Sequence, residues 1–120
     1  MKMDELKNHP NTDLDEMEHL KDELNNSKYD KEIIQMSEIL KALGDPIRIQ
    51  IIYLLKSRNL SVFEIVNALG KPQNTISNHI KVLENAGLIE GHEEGILIIY
   101  SLKKPEIIDL LDSILKPSKA

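Results

Sequence analysis

A predicted helix near the middle of the chain carries amide and hydroxyl side chains and a lysine on one side. Asn74, Asn78 and Lys81 lie opposite the apolar face, and Thr75 and Ser77 lie on its flanks. At 100° per residue, Ile80 and Leu83 fall within roughly 40° of Ile76, which identifies the core side. Asn can pair with an adenine edge through two hydrogen bonds, and Ser or Thr can reach base edges or phosphates. This face therefore predicts contact with DNA.

A solvated helix face is the alternative, and such a face usually carries Glu and Lys in quantity. No acidic residue occurs between Lys71 and Val82, although the domain averages more than one in ten. Acidic side chains are thus absent from the segment where they would repel a phosphate backbone, which favours DNA binding over simple solvation.

The flanking segments predict the elements that position this helix, which runs from Gln73 to Asn85. Ser61 and Glu64 form a capping box before a short apolar helix that Gly70 ends. After the second helix, Leu88-Ile89, a polar tip at 90–95 and Ile96–Tyr100 predict a β-hairpin. The predicted fold class is mostly α with a small β-hairpin wing, a winged helix-turn-helix.

Four further helices are predicted from apolar spacing and from their end signals. One extends from Lys28 to Leu43, and the next starts at Asp45-Pro46 and ends near Lys56. A last helix is predicted from Pro105 to about Lys116. A short amphipathic helix is predicted from about Asp13 to Leu24.

The 120 residues carry a net charge of -5, and the first thirty residues account for all of it, with four lysines against nine acids. Residues 31–120 are neutral, with 11 basic and 11 acidic side chains. We therefore divide the chain into an acidic leader, 1–27, and a domain, 28–120, that binds DNA and dimerises. The leader is either a solvated tail or an amphipathic helix that packs on the dimer.

Composition and motifs exclude several classes of function. The chain has no Cys, which excludes disulfides, thiolate metal sites and cysteine nucleophiles. It has no apolar run of membrane-spanning length and no apolar signal region, so a cytoplasmic location with no membrane partner is expected. No Ser-His-Asp arrangement, phosphate loop or HExxH motif occurs, so we expect neither an enzyme nor a cofactor.

Two helices carry more apolar surface than a small domain needs, which predicts a homodimer. The alternative is that the first and last helices of the domain cover each other within one chain. The predicted interface residues are Ile33, Met36, Leu40, Ile107, Leu110, Leu111 and Ile114.

Three segments resemble the ArsR/SmtB-type winged-helix repressors. Lys41–Ile49 is similar to the helix that opens the family's domain, Ser61–Gly70 to its next helix, and Gln73–Ile89 to its recognition helix and first wing strand. The resemblance covers about residues 38–102. It implies a homodimeric transcriptional regulator, a repressor on a palindromic operator, with the recognition helix in the major groove of double-stranded DNA and the wing against the backbone.

The resemblance also implies which residues contact DNA. They are Gln73, Asn74, Thr75, Ser77, Asn78 and Lys81, and we add Lys71 and Arg58 as phosphate contacts. His79 matches a frequent family histidine, but it borders the core face, which favours packing or hydrogen bonding over a base contact.

The sequence departs from the family at the wing and at the sensor positions. The wing tip His92-Glu93-Glu94 should repel phosphate, so the wing either contributes little or stands off the duplex. A Cys-Val-Cys metal site of the family reads Ser61-Val62-Phe63 here, and the last helix offers Glu106, Asp109 and Asp112 without His. No metal site is predicted. The alternatives to a repressor are a winged-helix protein-interaction module that has lost DNA binding and, less favoured, a metal or redox sensor.

Overall fold

A computed structural model describes residues 13–116. In chain order the elements are α1 (Leu14–Leu24), α2 (Ser27–Ala42), α3 (Pro46–Ser57), β1 (Leu60–Ser61), α4 (Val62–Leu69), α5 (Gln73–Asn85), β2 (Ile89–Glu94), β3 (Leu97–Leu102) and α6 (Ile107–Ile114). The chain forms two compact units, the first ending at Met36 and the second beginning at Ser37. The winged helix-turn-helix predicted from the sequence lies in the second unit.

In the first unit, helix α1 begins where the sequence predicts it. The Asp13 carboxylate accepts hydrogen bonds from the backbone N–H of Asp15 at 2.9 Å and of Glu16 at 3.3 Å. No residue of α1 is buried, and its apolar side chains Leu14, Met17, Leu20 and Leu24 are all exposed. Residues 14–24 of the leader form a helix, and its packing on a dimer stays a prediction. Residues 1–12 lie outside the described part of the chain.

Local capping fixes the ends of the helices in the second unit. Asp45 accepts from the backbone N–H of Ile47 at 2.8 Å, and Pro46 occupies the first turn. The Ser61–Glu64 capping box is present, with bonds of 3.2 Å and 3.0 Å. Gly70 ends α4 with φ 64°, a left-handed conformation that glycine adopts without strain. These features confirm the predicted starts of α3 and α4.

The sheet is larger than the predicted hairpin. It has three antiparallel strands in the order β1-β3-β2, and β1 pairs Leu60 with Tyr100. Strand β1 is too short to be predicted from the sequence, because two residues carry no alternating pattern.

The prediction that residues 90–95 form the polar tip of the wing was wrong. Residues 90–94 belong to strand β2, where Glu94 pairs with Leu97, and the turn consists of Gly95 and Ile96. Charged residues can form this strand because their side chains remain in solvent while their backbone pairs with β3. Ile96, predicted to start a strand, is fully exposed at the turn.

Helix α6 is shorter than predicted at both ends. Pro105 lies in a turn, where the backbone N–H of Ile107 donates to Lys104 at 3.0 Å and that of Ile108 to Pro105 at 3.1 Å. These hydrogen bonds link each residue to the one three positions earlier, as in a 3₁₀ turn, and they precede the regular helix. The helix ends at Ile114 rather than Lys116.

The core consists of Ile and Leu, as expected for a chain with 3% aromatic residues. The largest fully buried side chains are Ile51, Ile52, Ile65, Ile76, Leu83, Leu88 and Ile89. Ile80 is 3% exposed, so all three residues of the predicted inner face of α5 are buried. This anchoring fixes which side of α5 faces solvent.

Gly91 allows β2 to lie against two bulky side chains of β3. A Cβ at this position would lie 2.7 Å from Ile98 Cγ2 and 2.9 Å from Tyr100 Cε1. We expect Gly91→Ala to lower the free energy of unfolding by about 1–3 kcal/mol through overpacking, measured by urea denaturation. His92→Ala, on the opposite face of the strand, is the control and should change it by less than about 0.5 kcal/mol. Equal stability of both variants would contradict this packing.

Candidate nucleic-acid interface

The polar face of α5 is open to solvent along the length of the helix. Gln73, Asn74, Ser77, Asn78 and Lys81 are exposed, whereas Thr75 is half-buried. Because Ile76, Ile80 and Leu83 hold the other side in the core, these amides and hydroxyls sit on a rigid element. The structure thus brings five of the six predicted recognition-helix residues to one accessible surface, with Thr75 at its margin.

The amino end of α5 provides a second feature suited to phosphate. Pro72 precedes the helix without a side-chain capping bond, and the first turn contains no acidic residue. The first backbone N–H groups of a helix have no partner within it and favour anions. The exposed Lys71 lies in the turn just before these groups, so this end of α5 is electrostatically suited to a phosphate.

Arg58, predicted as a phosphate contact, is already paired within the chain. Its Nη2 donates to Glu64 Oε2 at 2.8 Å. The backbone N–H of Ser61 lowers the pKa of Glu64 below its ordinary value, against a raising effect of burial, and the charge of Arg58 lowers it further. To contact DNA, Arg58 would have to share its guanidinium with Glu64 or release it.

A polar cluster behind α5 is the feature that sequence reasoning missed. The Arg48 guanidinium donates through Nε to the Ala42 carbonyl at 2.6 Å and through Nη2 to the Lys41 carbonyl at 3.3 Å. Its Nη1 lies 3.1 Å from His79 Nδ1. His79 therefore takes the hydrogen-bonding role expected for it. The available signal was an arginine shortly after a helix end, since arginine often binds the last carbonyls of a helix.

Asp45 completes this cluster at the start of α3. Its Oδ1 lies 4.0 Å from His79 Nδ1 and accepts the capping bonds of α3. Burial raises the pKa of Asp45, but the backbone N–H groups of Arg48 and Ile47 and the nearby charges of His79 and Arg48 outweigh it, so the pKa lies below its ordinary value.

The lowered pKa values of Asp45 and Glu64 predict a loss of stability in acid. A lowered pKa means that the folded state favours the carboxylate, so the stability it contributes is complete above the ordinary values, 3.8 and 4.5, and is lost as pH falls through the folded values. We expect the Asp45→Asn/Glu64→Gln variant, which keeps neutral caps, to lose less stability than wild type between about pH 5 and pH 3. Urea midpoints across this range test it, and parallel curves would contradict it.

The acidic wing does not resemble a phosphate-binding surface. Glu90, His92, Glu93 and Glu94 are all exposed on β2. Three carboxylates in one strand oppose approach to a phosphate backbone, as expected from the sequence.

The predicted interface residues differ in what a single chain leaves accessible. Ile33, Met36, Leu40, Leu110 and Ile114 are between 44% and 64% exposed. Leu111 is partly buried against the core, and Ile107 is buried in the core at 7% exposure. In α6, Leu110 and Ile114 are therefore available to a partner, while Ile107 stabilises the chain itself.

Among the acidic residues predicted on the last helix, Asp112 has a structural partner. The Tyr53 hydroxyl donates to Asp112 Oδ1 at 2.6 Å and ties α6 to α3. This hydrogen bond, together with burial, raises the pKa of Tyr53. Within residues 13–116, no three His, Asp or Glu side chains group to hold a metal ion. None of the helices described could cross a membrane.

Helices α4 and α5, joined by a short turn, and the three-stranded sheet that follows the order β1-β3-β2 define a winged helix-turn-helix protein. Residues 45–90 match the model of the bacterial regulatory protein, arsR family. An uncharacterized HTH-type transcriptional regulator of Methanocaldococcus jannaschii is 38% identical over 91 residues, which are 72% of this chain and 98% of that protein. The chain belongs to the ArsR family and is a transcriptional regulator of the ArsR/SmtB type, not an enzyme.

Two further similarities are to a protein named as a repressor and to a solved structure. The HTH-type transcriptional repressor SmtB of Mycobacterium tuberculosis is 40% identical over 65 residues, 54% of this chain and 48% of the repressor, so the match spans about half of that protein. The solution structure of a homodimeric winged helix-turn-helix DNA-binding domain from Mycobacterium bovis, a possible ArsR-family regulator, has a TM-score of 0.69 at 26% identity. The superposition covers 74% of this chain and 82% of the Mycobacterium bovis domain.

Proposed function

We propose that the protein is a homodimeric repressor that binds a palindromic site in double-stranded DNA through α5. The observation that carries the proposal is the exposed polar face of α5, which carries no acidic residue before Glu84, opposite the buried Ile76, Ile80 and Leu83. The repressor name of the mycobacterial relative and the homodimeric DNA-binding domain from Mycobacterium bovis support it.

The residues of α5 divide into two kinds of contact. Asn74 and Asn78 can read adenine edges in the major groove, and Ser77 and Thr75 can reach bases or phosphates. Lys71, Lys81 and the amino end of α5 neutralise phosphates. Because residues 31–120 are neutral and the wing is acidic, the affinity rests on few phosphate contacts and falls only gently with salt.

The dimer brings two copies of α5 to one duplex. The exposed apolar side chains of α2 and α6, above all Leu40, Leu110 and Ile114, supply the surface that a second copy would cover. Two-fold symmetry then requires half-sites about one helical turn, roughly 34 Å, apart. The proposal places no sensor at the family's Cys-Val-Cys positions, because Ser61 caps α4 there and Phe63 offers no metal-ligating atom.

A footprint on the DNA upstream of the protein's own gene tests this function. We expect a protected palindrome whose half-site centres lie about 34 Å apart, and a solution mass twice the chain's 13.7 kDa. No protection by the purified chain would favour the second candidate function, a protein-interaction module.

That second candidate rests on the apolar tip of the acidic wing. Ile96 is fully exposed, and Ile98 and Phe63 are 47% and 53% exposed around a shallow cavity of about 190 Å³. Apolar residues beside Glu93 and Glu94 suit a protein surface better than a phosphate backbone.

A further inference from the structure

We propose that the hydrogen bond between Arg48 and His79 positions the DNA-reading helix and releases it when His79 is protonated. The inference rests on the proposed DNA binding and assigns a role to residues behind the interface. Arg48 and His79 are positioning residues, because neither belongs to the exposed polar face of α5.

Arg48, a residue of α3, joins its own helix to α2 and to α5 through its side chain. Its guanidinium holds the last carbonyls of α2, at Lys41 and Ala42, while its backbone N–H donates to Asp45 at the start of α3. Its Nη1 also bonds to α5, at 3.1 Å from His79 Nδ1. The position of α5 relative to the end of α2 is therefore set in part by one polar contact.

Ile80 and Leu83 hold the inner side of α5 in the core, but the packing is open between the C-terminal half of α5 and the end of α2. A cavity of about 340 Å³ lies there, lined by Lys41 and Arg48 on one side and by Val82 and Asn85 of α5 on the other. This open space leaves room for α5 to shift, so α5 can move relative to α2 when the Arg48 bond is lost.

The protonation state follows from the chemistry of the donors. A guanidinium only donates hydrogen bonds, so His79 Nδ1 must accept and the ring proton must sit on Nε2. A second proton at Nδ1 removes the acceptor and sets two cations about 3 Å apart. Histidine is the side chain that ordinarily changes charge between pH 5 and 8.

The charged groups around the ring determine where it goes once protonated. Asp45 lies 4.0 Å from Nδ1 and attracts the imidazolium, whereas Arg48 repels it. Beyond Arg48, in the last turns of α2, the exposed Lys41 and Glu38 form an ion pair at 3.9 Å. Protonation thus exchanges Arg48 for Asp45 as the partner of His79 and loosens α5 from α2.

The test compares operator affinity of the full chain at pH 7.5 and pH 5.5 and at constant ionic strength, using the duplex found by footprinting. Wild type should lose roughly tenfold in affinity on acidification, the scale of a hydrogen bond to a charged group. His79→Gln can still accept from Arg48 but does not titrate, so its affinity should change less than about twofold. His92→Gln, which removes the exposed wing histidine, should behave as wild type. Circular dichroism at both pH values checks that each variant is folded.

Two results would overturn the proposal. One is the same pH profile for His79→Gln and wild type. The other is tighter binding by wild type at pH 5.5 that His79→Gln abolishes, which would make His79 a direct phosphate contact.

Nuclear magnetic resonance of the ring nitrogens provides a readout that needs no DNA. At pH 7.5 Nδ1 of His79 should be the unprotonated nitrogen, and acidification should shift α5 amide signals in wild type but not in His79→Gln. A protonated Nδ1 at pH 7.5 would overturn the proposal. If wild type binds no DNA while these signals behave as expected, the DNA-binding proposal fails and the positioning of α5 by Arg48 and His79 stands.

Discussion

Replacing Asn78 with alanine is expected to weaken operator binding about ten- to hundredfold, because a bidentate amide contact to adenine discriminates by roughly 1–3 kcal/mol. Asn78 is exposed on α5, and its neighbours on the inner face keep the helix in place. The free energy of unfolding should therefore change little. Fluorescence anisotropy with the operator and with a duplex altered at the contacted base pair measures both affinity and specificity.

Lys81→Ala should produce a different signature from Asn78→Ala. A lysine on a phosphate supplies affinity without sequence preference, so its loss should weaken binding to all duplexes alike and reduce the salt slope by about 1. Wild type itself should show a shallow slope, and a slope near about -10 would contradict the small number of phosphate contacts.

Gln50→Ala is the matched control for both variants. It removes an exposed polar side chain from α3, outside the proposed interface, and should leave affinity and slope unchanged. If all three variants bind as wild type does, α5 is not the reading helix.

The sequence predicted elements whose signals are local. The capping box of Ser61 and Glu64, the cap at Asp45 and the turn at Gly70 each depend on residues within a few positions, and all three are present as expected. The period of Ile76, Ile80 and Leu83 likewise determined the buried side of α5 and hence the face offered to DNA.

What the sequence did not predict depends on partners that are distant in the chain. Strand β1 exists because Leu60 pairs with Tyr100, and the charged residues of β2 are extended because β3 lies beside them. Arg48 and His79 are 31 positions apart, so no spacing rule joins them. The pairing of Arg58 with Glu64 is closer in sequence, but Glu64 was assigned to the capping box and Arg58 to a DNA phosphate.

Placing a lysine at both Leu110 and Ile114 is expected to convert the dimer to a monomer and to reduce operator affinity at least about a hundredfold. Two linked half-site contacts exceed the affinity of one by roughly 10²–10⁴, and a monomer loses this advantage with its α5 intact. Leu110 and Ile114 are 47% and 64% exposed in one chain, so lysine there need not disturb the fold. Sedimentation equilibrium and anisotropy measure the two effects on the same samples.

Ile96→Lys separates loss of the interface from loss of apolar surface in general. Ile96 is fully exposed at the wing turn, outside the proposed interface, so this variant should remain dimeric and bind the operator as wild type. Folded monomers of the double variant that still bind with wild-type affinity would show that one copy of α5 suffices. A double variant that stays dimeric would place the two-fold contact elsewhere, whereas monomers with weakened binding would tie operator affinity to the pairing of α6.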